Sequence, residues 1–221
     1  MSYGTLRVVS TPIGNLEDIT LRALRVLKEA DIIAAEDTRH TGILLKRYGI
    51  HNRLTSFFSH SSLRKKDDIV KFLKEGKNIA LVSDAGTPGI SDPGFSLIRA
   101  AIDENIRVEA IPGPTALITA LVVSGKPTAS FVFEGFLSNK KAKRRKQLAR
   151  LKEEKRTVIF YESCHRIAGF LRDILDVMGD REIVVTRELT KKFEEIKREK
   201  TSTLLEHFTN VKPRGEFIVV M

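Results

Sequence analysis

Ser83-Asp84-Ala85-Gly86-Thr87-Pro88-Gly89-Ile90-Ser91-Asp92-Pro93-Gly94 is the stretch on which the fold turns. It follows an apolar run, residues 78–82, that reads as a buried strand. It precedes a helical pattern that places Leu97, Ile98, Ala101 and Ile102 on one face. Three glycines, two prolines and two aspartates therefore sit where a parallel strand hands over to a helix. Open α/β sheets bind ligands there, outside the carboxyl ends of their strands. Glycine lets backbone approach a ligand closely, and proline stiffens a loop without adding a donor. A tight structural turn uses the same residue types, but it needs fewer of them.

On both sides of this loop, strand and helix patterns alternate. Residues 6–9 form a short apolar run. Ile19, Ala23, Val26, Leu27 and Ala30 follow at helical spacing, with Asn15 and Asp18 as starting signals. Residues 32–35 read as a strand, 38–48 as a helix closed by Gly49, and 61–75 as a polar helix closed by Gly76. After the 95–103 helix comes a strand at 106–110, and Pro114 opens a further helix. Repeated β-α units of this length predict a doubly wound, mostly parallel sheet.

A break at Ser124-Gly125-Lys126-Pro127 changes the pattern. Strands are predicted at 131–136, 157–161, 183–187 and 217–220. A basic helix is predicted over 140–151, and Ile167, Phe170, Leu171, Ile174 and Leu175 mark an amphipathic one. The fold class is α/β with two α/β domains: residues 1–123 with the parallel sheet, and 124–221 with a mixed sheet.

The chain has 221 residues and a formal charge of +10. Such a balance bears on partners rather than fold, and nucleic acid is the usual acidic partner of a basic chain. No apolar stretch is long enough to span a bilayer, so the expectation is a soluble, cytoplasmic protein without a membrane partner. The single cysteine, Cys164, excludes an internal disulfide and any multi-cysteine metal centre; it reads as a small buried hydrophobe. With five histidines besides, no metal site is predicted.

The polar segments that end the predicted strands carry the candidate chemistry. Thr11-Pro12-Ile13-Gly14-Asn15 has the position of a nucleotide-binding turn without its glycine pattern. Glu36-Asp37-Thr38-Arg39-His40 puts five polar residues directly after buried apolar ones. A helix cap accounts for Asp37 or Thr38 but not for the rest. Strands lie side by side in a parallel sheet, so this cluster should face the same crevice as 83–94. Arg39 is a candidate clamp for an oxyanion or substrate. Ile111-Pro112-Gly113-Pro114-Thr115-Ala116 is a third such loop, and its helix-opening amides suit a ligand. Tyr161-Glu162-Ser163-Cys164-His165-Arg166 is the counterpart in the second domain, where Glu162 and His165 are candidates for proton transfer. Lys140, Lys141, Lys143, Arg144, Arg145 and Lys146 crowd seven positions without an acid. They are read as a surface for RNA or DNA phosphates.

Together these segments resemble the ribosomal RNA small subunit methyltransferase I family, among the tetrapyrrole methylase-like enzymes. The likeness rests on the 83–94 loop, on Thr-Pro-Ile-Gly-Asn-Leu-Glu-Asp-Ile-Thr at 11–20, and on Ala-Glu-Asp-Thr-Arg at 35–39. It also rests on Ile-Pro-Gly-Pro-Thr-Ala, Phe-Tyr-Glu-Ser and Thr-Arg-Glu-Leu-Thr-Lys, and it runs from near residue 6 to Glu216. The resemblance implies two α/β domains that hold S-adenosylmethionine in the cleft between them. It implies methyl transfer to the ribose 2′-hydroxyl of a decoding-centre cytidine in 16S RNA, with the small-subunit RNA or the 30S subunit as partner, and a homodimer. By position, the donor contacts would be Pro12, Ser83, Asp84, Ala85, Gly86, Thr87, Ile90, Thr115, Ala116, Tyr161 and Glu162, with the loop 187–190 completing the pocket. Asp37, Glu162 and His165 are the candidate bases and Arg39 the orienting group. Members of the family often continue into a C-terminal extension beyond a strand like that at 217–220. The alternatives are a methylase of a tetrapyrrole precursor and a non-catalytic RNA-binding factor.

Overall fold

The computed structural model describes residues 2–58, 63–211 and 214–221. In chain order the elements are β1 (Thr5–Val9), α1 (Leu21–Glu29), β2 (Ile32–Ala35), α2 (Thr38–Arg47), β3 (Leu54–Ser56), α3 (Leu63–Lys74), β4 (Ile79–Val82), α4 (Phe95–Asp103), β5 (Arg107–Ile111), α5 (Ala116–Ser124), β6 (Phe131–Phe136), α6 (Lys141–Arg150), β7 (Thr157–Ser163), α7 (Ile167–Met178), β8 (Glu182–Arg187), β9 (Glu195–Lys200), α8 (Thr201–Asn210) and β10 (Glu216–Val220). They form two compact units, Met1–Thr115 and Ala116–Met221.

The first unit has a sheet of order β3-β2-β4-β1-β5 in which every pair is parallel. β2 and β4 are buried at every residue, because helices cover both faces of such a sheet. One face packs Val9, Ile33, Ala80 and Val82 with Ala23, Leu27 and Leu45; the other packs Leu6, Ile32, Ile79 and Leu81 with Ile69, Leu73 and Leu97. The alternation of apolar strands and amphipathic helices thus predicts this sheet correctly. One local reading needs correction and one strand goes unread. Asn15 caps a single 3₁₀ turn at Leu16–Asp18, and α1 begins later, where the Thr20 hydroxyl accepts the Ala23 N–H. β3 lacks an apolar run because it is a half-buried edge strand of three residues, so periodicity does not reveal it. Of the helix expected at 61–75, residues 61 and 62 lie outside the described residues.

The second unit has a mixed sheet of order β6-β7-β10-β8-β9. β6 and β7 run parallel; β10 is antiparallel to both β7 and β8, and β9 is antiparallel to β8. Its core gathers Val158, Phe160, Phe170, Leu171, Ile174, Ile183, Leu204, Phe208 and Phe217, with the half-buried Cys164 at its margin. β9 and α8 escape sequence reading. β9 is a charged edge strand, Glu-Ile-Lys-Arg-Glu-Lys, and its alternation is masked by long polar side chains. The division into units also differs from the sequence break at 124. Leu117, Ala120 and Leu121 of α5 are buried, and α5 packs on β7, β9 and β10. The Arg198 guanidinium donates to the Val123 and Ser124 carbonyls at the C-terminus of α5, where a cation suits the helix dipole. The break at Ser124-Gly125 is therefore the end of α5, and Pro114 precedes α5 by two residues instead of opening it. Among the described residues no helix is long and apolar enough to cross a membrane.

Candidate functional site

In the first unit, β1, β2, β4 and β5 end level with one another: Ala35 is opposite Val82, Val8 opposite Leu81, and Val9 opposite Ile111. The four polar loops consequently leave the sheet side by side, and hydrogen bonds tie them together. Thr11 and Gly86 exchange both backbone bonds, at 2.8 and 3.0 Å. This bridge requires φ near 75° at Gly86, a left-handed conformation in which glycine carries no steric penalty. The Ser10 and Thr87 hydroxyls share a hydrogen bond of 2.8 Å, and Thr11 Oγ1 donates to the Ser83 carbonyl. A Cβ on Gly113 would lie 3.0 Å from Ser10 Cβ, tighter than ordinary contact, so glycine lets the loop after β5 pass close to the end of β1 without displacing it. Pro12 and Ser83 are buried within this crest, and Asp84, Thr87 and Thr115 are half-buried at its margin. Ile90 stays exposed.

The loop after β2 is clasped to the loop after β4. The Asp37 N–H donates to Asp84 Oδ1 at 3.0 Å, and the Asp84 N–H donates to Glu36 Oε2 at 3.3 Å. Three carboxylates thus meet at one edge of the crest. Burial pushes the Glu36 carboxyl up, and the charges of Asp84 and Asp37 add to the shift. Asp37 behaves oppositely. It caps α2 by accepting the Arg39 N–H and forms a bidentate pair with the Arg39 guanidinium, Nη2 to Oδ2 at 2.7 Å. The Arg39 hydrogen bonds hold the Asp37 carboxyl far below the ordinary range. A carboxylate so stabilised is a poor proton acceptor, which counts against Asp37 as a base. Arg39 itself is exposed, and its fork is turned onto Asp37. Glu36 is the residue that sequence reading placed in the 36–40 cluster without a role of its own. Its signal was available: an acid placed directly after four buried residues.

In the second unit, Tyr161 lies between the rings of Phe133 and Phe136, and its hydroxyl oxygen accepts the Leu117 N–H at the first turn of α5. That hydrogen bond satisfies one of the helix's open amides beside Ala116. Glu162 is 2% exposed. Its Oε1 accepts the Ser163 N–H at 2.7 Å and its Oε2 accepts Arg166 Nη2 at 2.8 Å, while Arg166 also donates to the Leu137 carbonyl. Glu162 is therefore an anchor for the turn after β7; both oxygens are engaged, which counts against a proton-transfer role. His165 stands exposed on that turn. In the loop 187–190, Glu188 and Thr190 hold positive φ, and Glu188 pairs with Lys191 at 2.9 Å.

The basic run divides in two. Lys140, Lys141, Lys143 and Lys146 are exposed. Arg144 is 8% exposed and faces inward. Its Nε and Nη2 both bond Asp173 Oδ2 on α7, at 2.8 and 2.6 Å. Arg145 pairs with Asp173 and with Asp176. The phosphate-binding expectation is thus corrected for Arg144, which is buried and committed to α7, and the Arg145 guanidinium is shared with the same two acids.

Residues 5–205 match the family described as tetrapyrrole (corrin/porphyrin) methylases. The ribosomal RNA small subunit methyltransferase I of Thermotoga maritima is 50% identical over 218 residues, covering 99% of this chain and 98% of that protein. The protein of that name from Escherichia coli O157:H7 is 48% identical, covering 100% of this chain and 78% of its own length. Among solved structures, uroporphyrin-III C-methyl transferase from Thermus thermophilus, complexed with S-adenyl homocysteine, superposes with a TM-score of 0.69 at 17% identity, covering 98% of this chain and 97% of that one.

Proposed function

This chain belongs to the tetrapyrrole (corrin/porphyrin) methylase family, and from that premise we propose that it transfers a methyl group from S-adenosylmethionine to the 2′-hydroxyl of a cytidine ribose in small-subunit ribosomal RNA. One observation carries this reading: identity of one residue in two, over 99% of the chain, to a ribosomal RNA small subunit methyltransferase I. The motifs at 11–20, 35–39 and 83–94 add the ribose and the cytidine through the family resemblance. The exposed lysines of α6 fit an RNA partner.

The residues of the first unit fit the donor. A sulfonium cation suits an edge where the Glu36, Asp37 and Asp84 carboxylates meet, and the cross-tied loops offer preorganised backbone to an adenosyl group. Pro12, Ser83 to Thr87, Ile90 and Thr115 are the proposed contacts there, and Ala116, Tyr161 and Glu162 those of the second unit. When bound, S-adenosylmethionine supplies an electrophilic methyl whose bond to sulfur breaks with its electron pair, leaving a neutral thioether. The chain's own share is alignment: holding O2′ in line with that methyl replaces a bimolecular encounter, an effect worth on the order of several kcal/mol. The hydroxyl proton needs an acceptor. Asp37 is held too acidic and each Glu162 oxygen already accepts a hydrogen bond within its own turn, so His165 is the base we propose among the three candidates. We include a homodimer in the proposal; light scattering of the purified protein at about twice the chain mass supports it, and the monomer mass excludes it.

The test is transfer of labelled methyl from S-adenosylmethionine to 30S subunits, followed by alkaline hydrolysis. A 2′-O-methyl group blocks cleavage, so the label is expected in an alkali-resistant dinucleotide that begins with C. Label in mononucleotides, or none in RNA, overturns the reading. The family's description favours a second one, methylation of a tetrapyrrole precursor. Label in such a precursor and not in RNA would establish that instead.

A further inference from the structure

The first unit carries a small, open hollow of about 70 Å³ where the ends of β1 and β4 meet the first turns of α2. Pro12, Leu16, Ile43 and Leu44 form apolar walls, and the His40 imidazole and the Asp84 carboxylate are polar groups at its surface. We propose that this hollow receives the base of the nucleotide being methylated, and that Asp84 selects cytosine by accepting its exocyclic amine. The inference rests on the RNA reading above, which leaves open how the nucleotide is chosen.

Three observations carry it. The first is the lining. Sites for small ligands have mostly apolar walls and a few placed polar groups, as this one does. A base taken out of its stack is held against apolar or aromatic faces, histidine among them. The second is Ile43, which is 62% exposed although it sits on a helix packed to the sheet. Nothing in the core requires an isoleucine there, and the face of a base would cover it. The third is the state of Asp84. Its Oδ1 is taken by the Asp37 N–H. Among the described residues, Oδ2 has no hydrogen-bond donor. The Glu36 carboxylate fixes the Asp84 backbone through its N–H, which limits where that oxygen points. A carboxylate accepting from N4 of cytosine is an established base-edge pairing. Uracil presents a carbonyl oxygen at that position, which the anion repels.

Adenine also bears an exocyclic amine, so the adenosyl group of the donor competes for this assignment. Pro12, Ser83 and Asp84 border both the hollow and the proposed donor contacts, whereas His40, Ile43 and Leu44 of the α2 wall lie outside the positions that the family resemblance gives to the donor, so the α2 wall is where the two assignments are told apart.

The experiment uses the full chain and small-subunit RNA carrying C or U at the nucleotide that the wild type methylates. Asp84→Asn keeps an oxygen for the Asp37 N–H and turns the other position into an N–H donor suited to O4 of uracil. The preference for C over U in kcat/KM is expected to fall about tenfold or more, the scale of one good base contact. His40→Ala and Ile43→Ala are expected to raise the KM for RNA severalfold, with the dissociation constant for S-adenosylmethionine unchanged by calorimetry. An unchanged C-to-U ratio in Asp84→Asn overturns the proposal. So does a loss of donor affinity in His40→Ala and Ile43→Ala, which gives the hollow to the adenosyl group. If the wild type labels no RNA, the substrate reading falls and this inference with it. If the wild type labels RNA and the variants behave like it, the assignment of the hollow falls alone.

Discussion

Gly86 and Glu36 hold the crest of the first unit by opposite means, one through backbone freedom and one through charge. At Gly86 any side chain must adopt a left-handed conformation, at a cost of about 1–2 kcal/mol. A Cβ there would make only ordinary contacts, so the penalty is conformational. Gly86→Ala should therefore lower unfolding stability by about that amount and weaken donor binding, read by urea titration and calorimetry. Glu36 has a pKa raised above the usual 4.5, first by burial and then by its acidic neighbours. The folded protein binds this proton more tightly than the unfolded chain does. Its contribution to stability is thus fully present below about 4.5 and is lost as pH rises through the raised value. Stability of Glu36→Gln relative to wild type should climb as pH rises from about 4.5 through that raised value; a pH-independent difference would refute the assignment. Residues of this kind were half legible in the sequence. Glycines and prolines after an apolar run mark the loop, but the clasp of Glu36 and Asp84 depends on strand order, which local pattern does not encode.

Among elements, the α6–α7 pair shows where charge patterning misleads. A run of basic residues reads as solvated or as bound to an anion, yet Arg144 recurs with Leu148 and Leu151 at i, i+4 and i+7, the spacing of a buried stripe. Its partner Asp173 is 0% exposed and lies 29 positions away. Removing one partner strands a buried charge. Asp173→Ala should cost about 3–5 kcal/mol in urea unfolding, and Arg144→Met combined with Asp173→Leu should recover most of it. A loss in the double variant equal to the sum of the two single ones would mean that the pair is not coupled. α5 teaches a related point: it is apolar enough to belong to either unit, and only its packing on β10 and its Arg198 cap assign it. The parallel sheet was legible because its strands are buried on both faces. The edge strands β3 and β9 were not, because an edge needs no apolar run.

For the whole molecule the net charge of +10 sets the expectation of salt-dependent RNA binding. With Arg144 committed to α7, the exposed Lys140, Lys141, Lys143 and Lys146 are left to carry the α6 share of it. Replacing these four by Gln should flatten the slope of log affinity against log salt by roughly one for each phosphate left without its lysine. Filter binding across a salt series measures it, and an unaltered slope would remove α6 from the RNA surface. The two sheets also differ in when they can form. β1 to β5 are all translated within the first unit, so its sheet can close early, as leading domains do during synthesis. In the second sheet β10 lies between β7 and β8. Until residues 216–220 clear the translating ribosome, the nascent second unit has two unjoined halves with bare strand edges, and a premature stop before them would release a half-built, aggregation-prone domain beside an intact one.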